Sequence, residues 1–256
     1  MRDPQVRVPC EILDEHLDVI VEHKLDIELY LSGSTLDSLK PGGAERIKKK
    51  LTHGPRITFH APFMDLNPGA VDSRVLEATR GRFGQCFDVA EVLRPALIVL
   101  HSGYEKWKYD HDVDLWLERS LTFWPEFIKR ARSIGARLAI ENIFEDEPTS
   151  LARLMKEINS PSVGICFDAG HCNIFTAVPF KEWLEVLGPY IIETHLHDNL
   201  GDLDSHLALG DGNIDFQEIF AALQGKDVVH TIEAISVEDT FKSMQAIRDI
   251  HQRLST

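Results

Sequence analysis

Residues 190–197 read YIIETHLH. The run begins as an apolar β segment and finishes on two histidines with one residue between them. Side chains two apart on a strand share a face, so His195 and His197 are expected to point the same way. The continuation, THLHDNLGDLDSHLALGDGNIDF (194–216), holds three histidines and five aspartates. Folding alone gives no reason to end a hydrophobic strand on alternating imidazoles and follow it with Asp-Ser-His. A bound metal ion would give one, provided other parts of the chain supply partners.

The same kind of ending recurs along the chain. RITFH (56–60) ends on His60 and ALIVLH (96–101) on His101. RLAIEN (137–142) carries Glu141 beside its end. VGICFD (163–168) ends on Asp168, and the AGH that follows adds His171. VVHTIEA (228–234) supplies Glu233. With QVRVP (5–9), DIELYL (26–31) and the 190–197 run, these make eight β-rich segments. Helix-compatible stretches lie between them at 11–23, 75–93, 115–135, 150–159, 179–188, 216–224 and 237–254, with Pro125 expected to interrupt the third.

Strand–helix alternation predicts parallel βαβ units. Eight units in 256 residues average 32 residues each, close to the minimum size of such a unit. The turn after the first strand is CEILDE, without the GxGxxG of a doubly wound nucleotide-binding sheet. The expectation is an α/β chain folded as a single-domain (β/α)8 TIM barrel over residues 1–256. In such a barrel the C-terminal strand ends share one mouth, so the histidines and acids above converge there. Asp204 and His206, in the loop after strand seven, can bend back over it.

Imidazole with carboxylate suits zinc or manganese, with magnesium and cobalt also admitted. The four carboxylates of Glu141, Asp168, Asp204 and Glu233 would offset the charge of two or three such ions. Crowded together without a cation they would repel and be costly to bury. His197 is open between a partner of a ligand, a substrate contact and a ligand. His16, His23, His53, His111, His230 and His251 read as structural or solvated. His230 has opposite parity to Glu233 and should face away from the barrel interior. The acidic EDE at 145–147 reads as a solvated loop or helix cap, and the glycines of LGDGNIDF as a turn before a helix. Trp107 and Tyr109, in the loop after His101, read as exposed aromatics and most simply as loop packing.

The formal net charge is −14. A broad basic surface for nucleic acid is therefore not expected, and a small molecule is the better partner. No run approaches the length of a membrane span. The four cysteines form no CxxC pair and suggest no disulfide framework. With no apolar signal core in MRDPQVRVPC, a cytoplasmic location is expected. The oligomeric state is left open, a homo-oligomer included.

Seven stretches together resemble the superfamily of xylose isomerase-like barrels, which contains sugar isomerases and epimerases and the endonuclease IV type of apurinic-site nuclease (AP endonuclease family 2). They are HAPFMDLNPG (60–69), LHSG (100–103), IEN (140–142), FDAGH (167–171), HLHDN (195–199), DSHLALGDGNIDF (204–216) and IEA (232–234). The resemblance runs from about Leu25 to Ala234.

The epimerase branch implies one divalent ion held by Glu141, Asp168, His195 and Glu233, with Glu141 and Glu233 as the acid/base pair. His60, His101, His171 and His197 then become candidate substrate contacts. The nuclease branch implies three zinc ions on nine ligands: His60, His101, Glu141, Asp168, His171, His195, Asp204, His206 and Glu233. All nine positions hold the required residue type. That branch also tends to place a DNA-probing tyrosine near the position where Phe63 stands. The preferred expectation is a metal-dependent sugar or sugar-phosphate isomerase or epimerase. Phosphoester hydrolysis at a trinuclear zinc site is the alternative, and a non-catalytic sugar-binding barrel the third reading.

Overall fold

All eight β-rich runs form strands of one closed parallel barrel in a computed structural model that describes residues 3–255. The strands are β1 Gln5–Pro9, β2 Ile27–Tyr30, β3 Ile57–His60, β4 Leu97–His101, β5 Arg137–Glu141, β6 Val163–Asp168, β7 Ile191–Leu196 and β8 Val229–Ile232. Pairing of Gln5 with Thr231 and Val6 with Ile232 closes the ring. His197 lies just past the end of β7.

Ten α-helices surround the barrel among the described residues. In chain order they are α1 Leu13–Glu22, α2 Gly33–Ser38, α3 Gly43–Lys50, α4 Ser73–Leu93, α5 Val113–Ile134, α6 Thr149–Ile158, α7 Ala169–Phe175, α8 Phe180–Leu187, α9 Phe216–Ala222 and α10 Val237–Leu254. Seven match the stretches read from the sequence. The helices α2, α3 and α7 are not among those stretches; GSTLDS and GAERIKKK hold one and two apolar residues, too few to show an apolar stripe. The expected break at Pro125 is absent: α5 runs unbroken through it. A mid-helix proline loses one hydrogen bond and clashes with the preceding turn. Here Phe123, Trp124 and Phe127 on either side are buried, and their packing holds the helix together across the defect.

The main core lies between strands and helices, where Phe83, Phe87, Trp116 and Trp183 are buried with those three aromatics. A smaller apolar cluster of Leu97, Val99, Ala139, Cys166 and Ile192 is separate from it. Buried polar side chains stand among the strands as well. The Gln5 amide nitrogen lies 2.6 Å from Thr58 Oγ1, 2.7 Å from Thr231 Oγ1 and 3.0 Å from Glu193 Oε1. Among the described residues no helix is long and apolar enough to cross a membrane.

His230 packs outward, as its parity predicts, with its ring 5.0 Å from that of Phe220 and Nδ1 2.8 Å from Thr194 Oγ1. Burial, reinforced by the charges of His251 and Arg56, pushes its pKa down from 6.5 to about 4. The unfolded chain takes up this proton near 6.5 and the folded chain does not. The stability contributed is therefore complete above about pH 6.5 and is lost progressively as the pH falls towards 4. Each pH unit across that window is about 1.4 kcal/mol, so the loss is roughly 3 kcal/mol. Urea titrations in excess chelator should show the wild type losing that much more stability than His230→Gln between neutral and acid pH. Parallel curves for the two proteins would refute the assignment.

Candidate metal centre

Asp168 ends β6 and caps α7. Its Oδ1 accepts the His171 backbone N–H at 2.6 Å, which satisfies one of the free donors at the helix start. Oδ2 is left 3.3 Å from His171 Nδ1 and 3.7 Å from His195 Nδ1. The cap thus places a carboxylate oxygen and an imidazole side by side. Asn142 braces the pair of strands beneath: its amide donates to the Asp168 carbonyl and accepts from the Asp168 N–H, both at 2.9 Å. Gly170 lets α7 lie against His197, since a Cβ there would stand 1.9 Å from the ring.

Glu141, at the end of β5, joins the strand-end histidines. Its Oε2 lies 3.1 Å from His60 Nε2 and 3.2 Å from His101 Nε2. Its Oε1 lies 3.3 Å from both His171 Nδ1 and His195 Nδ1. Glu233, just past β8, brings Oε1 to 3.3 Å from the same His195 nitrogen. Arg7 on β1 is 3.3 and 3.4 Å from the two Glu233 oxygens.

The loop after β7 wraps around one buried carboxylate. Asp198 accepts backbone N–H groups from Asn199, Gly210, Gly212 and Ile214 at 2.9 to 3.2 Å. A Cβ at Gly212 would stand 2.2 Å from Asp198 Oδ1, so this glycine of the LGDGNIDF turn permits the wrap. A β-bridge between Asp198 and Leu207 closes the inner part of the loop, and Asp204 and His206 fall between them. Asp204 Oδ2 is 3.2 Å from His206 Nε2 and 3.5 Å from His171 Nε2.

All nine residues of the larger expected set meet at this mouth. His197, open between a partner of a ligand, a substrate contact and a ligand, is not among the residues that line the cavity. It is wholly buried, with Nε2 3.2 Å from Asp168 Oδ1 and its ring stacked on His206 at 3.9 Å. Neither it nor His195 lines the cavity above, whereas His60, His101 and His171 do. That cavity has a volume of about 780 Å³, with Phe63, Leu66, Tyr104 and Phe144 among its walls. The Phe63 ring stacks on His101 at 4.3 Å.

Two loop readings are corrected. Glu145 is buried rather than solvated. It accepts from Ser102 Oγ at 2.6 Å and from the Ile143 N–H at 2.7 Å, and burial raises its carboxyl to about 7. Glu147 does sit at a helix start, accepting from the Thr149 N–H at 2.9 Å. Tyr109 is buried and bonded to Asn67 and Gly69, while Trp107 is exposed.

The electrostatics favour positive charge among these acids. Burial alone would raise the Glu141 and Asp168 carboxyls. Positive charge on the surrounding histidines, His195 and His101 for Glu141 and His171 and His197 for Asp168, holds both well below the usual range. Burial would likewise raise Glu233, but Arg7, His195 and His206 keep it low. His171 and His195 answer in kind: burial disfavours their charge, yet Cys166 beside His195 and the carboxylates around both rings raise them well above 6.5. The acids stay ionised only because positive charge stands among them.

The donor chemistry fits a divalent cation in that place. His60 Nδ1 donates to the Ala61 carbonyl at 2.8 Å, which leaves Nε2 as a lone pair facing Glu141. Glu233 Oε1 and His171 Nδ1 are buried without a hydrogen bond among the described residues. Donors about 2.0–2.2 Å from one ion lie about 3.3–3.6 Å apart in a tetrahedral shell, and the donor separations above, from 3.1 to 3.7 Å, fall about that range. Donor sets close enough to share an ion are His60, His101 and Glu141; Glu141, Asp168 and His195; Asp168, His171 and His197; and His197, His206 and Glu233. A further set, Glu28, Glu193 and His195, lies wholly buried. Sequence reading missed Glu28 and Glu193 because they stand in mid-strand rather than at strand ends. It missed Arg7 because β1 carries no terminal donor. The alternation Glu28–Tyr30 and Glu193–His195 was the available signal.

Fold and site together define a (β/α)8 barrel with an acid–imidazole cluster at its C-terminal mouth. The profile of the xylose isomerase-like TIM barrel family matches residues 25–250, and the chain belongs to that family. It is 31% identical over 250 residues to the uncharacterized protein MJ1311 of Methanocaldococcus jannaschii, covering 93% of this chain and 85% of that one. A crystal structure of a D-tagatose 3-epimerase-like protein superposes with a TM-score of 0.84 at 28% identity over 98% of both chains. The TTHB071 protein of Thermus thermophilus, solved after soaking with zinc chloride, shares the fold with a TM-score of 0.84 at 24% identity, over 98% of this chain and 99% of that one.

Proposed function

We propose that this chain is a divalent-metal-dependent isomerase or epimerase of a small sugar or sugar phosphate, with Glu141 and Glu233 as its acid/base pair. One observation carries the reading: both glutamates line the same cavity and both bring an oxygen to 3.3 Å from His195 Nδ1. The 28% identity to a D-tagatose 3-epimerase-like protein supports it.

Glu141, Asp168, His195 and Glu233 would hold the ion. When bound, it supplies Lewis-acid stabilisation of negative charge developing on a substrate oxygen. The chain supplies the proton chemistry. One glutamate accepts the proton from the carbon beside the carbonyl, and the other returns a proton. Arg7 pairs with the Glu233 carboxylate and keeps it ionised, so that it is ready to accept. Phe63, Leu66 and Tyr104 limit water beside the reacting carbon, which strengthens every charge interaction there. The formal charge of −14 suits a small substrate better than nucleic acid.

A second reading, phosphoester hydrolysis at a centre of three ions, rests on the convergence of all nine donors, Asp204 and His206 included. The two readings separate in one preparation. Protein loaded with zinc or manganese is incubated with a panel of ketoses, aldoses and their phosphates in deuterated water, and its ions are counted. One tightly held ion per chain with deuterium entering one substrate carbon is the expected result. Three ions with phosphate release and no exchange would replace the first reading by the second.

A further inference from the structure

The wholly buried set beneath the mouth has a role that the acid/base chemistry does not use. Glu28 sits in the middle of β2 with no exposed surface, and its Oε2 lies 3.2 Å from His195 Nε2. The other nitrogen of that ring, Nδ1, is the one that approaches Glu141, Glu233 and Asp168. A neutral imidazole carries a hydrogen on one nitrogen and a lone pair on the other. Which nitrogen carries the hydrogen is set by the partner that the ring finds.

We propose that Glu28 is a positioning residue: it accepts the Nε2–H of His195 and so fixes the tautomer that presents the Nδ1 lone pair to a cation held by Glu141, Asp168 and Glu233. The proposal rests on the metal reading of the centre and is independent of whether the reaction is isomerisation or hydrolysis. A buried carboxylate bonded to the far nitrogen of an imidazole orients the ring and raises its basicity as a ligand. The surroundings suit that task. Gln5, Thr58, Thr231 and Glu193 form the hydrogen-bonded layer described above, and Thr231 Oγ1 donates to Glu193 at 2.7 Å. Neighbouring strands therefore brace the region from which Glu28 reaches up. The alternative is a carboxylate that merely packs the barrel interior.

The test compares the wild type with Glu28→Gln and Glu28→Ala by zinc competition against a chromogenic chelator, alongside melting curves in excess chelator. The glutamine keeps an acceptor and loses the charge; the alanine loses both. Zinc affinity is expected to fall in the order wild type, Gln, Ala, reaching about 10–100-fold for Ala, while the metal-free melting curve of Glu28→Gln stays near that of the wild type. Two-bond proton–nitrogen correlation spectra of the zinc-loaded wild type should show His195 protonated at Nε2; His195→Asn identifies the signal. This measurement needs no Glu28 variant and decides the matter if the alanine fails to fold. A His195 protonated at Nδ1, or an affinity unchanged within twofold in a folded Ala variant, would overturn the role of Glu28 alone. A wild type that binds no zinc would sink the metal reading and this proposal with it.

Discussion

Glu141→Ala is expected to lower kcat/KM by on the order of 10³-fold or more and to leave the purified protein with less than its full complement of ions. The size follows from geometry. One Glu141 oxygen stands 3.1 and 3.2 Å from His60 and His101, and the other 3.3 Å from His171 and His195. No other side chain in the cluster faces four imidazoles in this way, so its removal takes an acceptor from two donor sets at once. The same substitution would remove half of the proposed acid/base pair. Asp168→Ala would be harder to interpret, because it also removes the α7 cap, a loss of about 0.5–2 kcal/mol. Elemental analysis, steady-state kinetics and circular dichroism on one preparation check the prediction. A folded variant with unchanged metal content and turnover would show that Glu141 is not the hub.

What the sequence made legible follows from where chemistry and periodicity coincide. A strand that ends on His60, His101 or Asp168 announces both its face and its chemistry, so the barrel and the mouth could be read together. Glu28 and Glu193 carry the same kind of chemistry, but in mid-strand. Local pattern there reports only that a side chain points inward; which partners meet it depends on ring closure. Glu145 was misread because an acidic tripeptide is usually solvated. Its hydrogen-bond partner in the interior is Ser102, which is 43 positions away in sequence. Pro125 follows the same logic: its local preference is to break a helix, and buried aromatics on both sides override it. Asp198 was passed over as one more aspartate of a charged loop. Its four backbone N–H donors, from Asn199, Gly210, Gly212 and Ile214, show that it organises the segment carrying Asp204 and His206.

Removing divalent ions should lower stability by an amount that grows with pH. A ligand that binds only the folded state at a free concentration 1,000 times its Kd adds about 4 kcal/mol. For a chain near this length each kcal/mol moves the melting temperature by about 2–4 °C, so the shift is on the order of 10 °C. The sign of the pH dependence comes from competition between protons and the ion. In the metal-free centre burial opposes charge on His171 and His195, but Cys166 beside His195 and the carboxylates around both rings raise them above the usual histidine range. Their contribution to stability is therefore full below about pH 6.5 and is lost as the pH rises through those elevated values. The ion needs the same nitrogens free of protons. Acid thus supports the metal-free cluster and weakens binding, while alkali does the reverse. Thermal melts in chelator and in buffered zinc or manganese should diverge from slightly acid to slightly alkaline pH, with protons released on loading. Superimposable melts across that range would mean that the buried acids and imidazoles of this mouth compensate one another without a cation, and the catalytic proposal would fall with them.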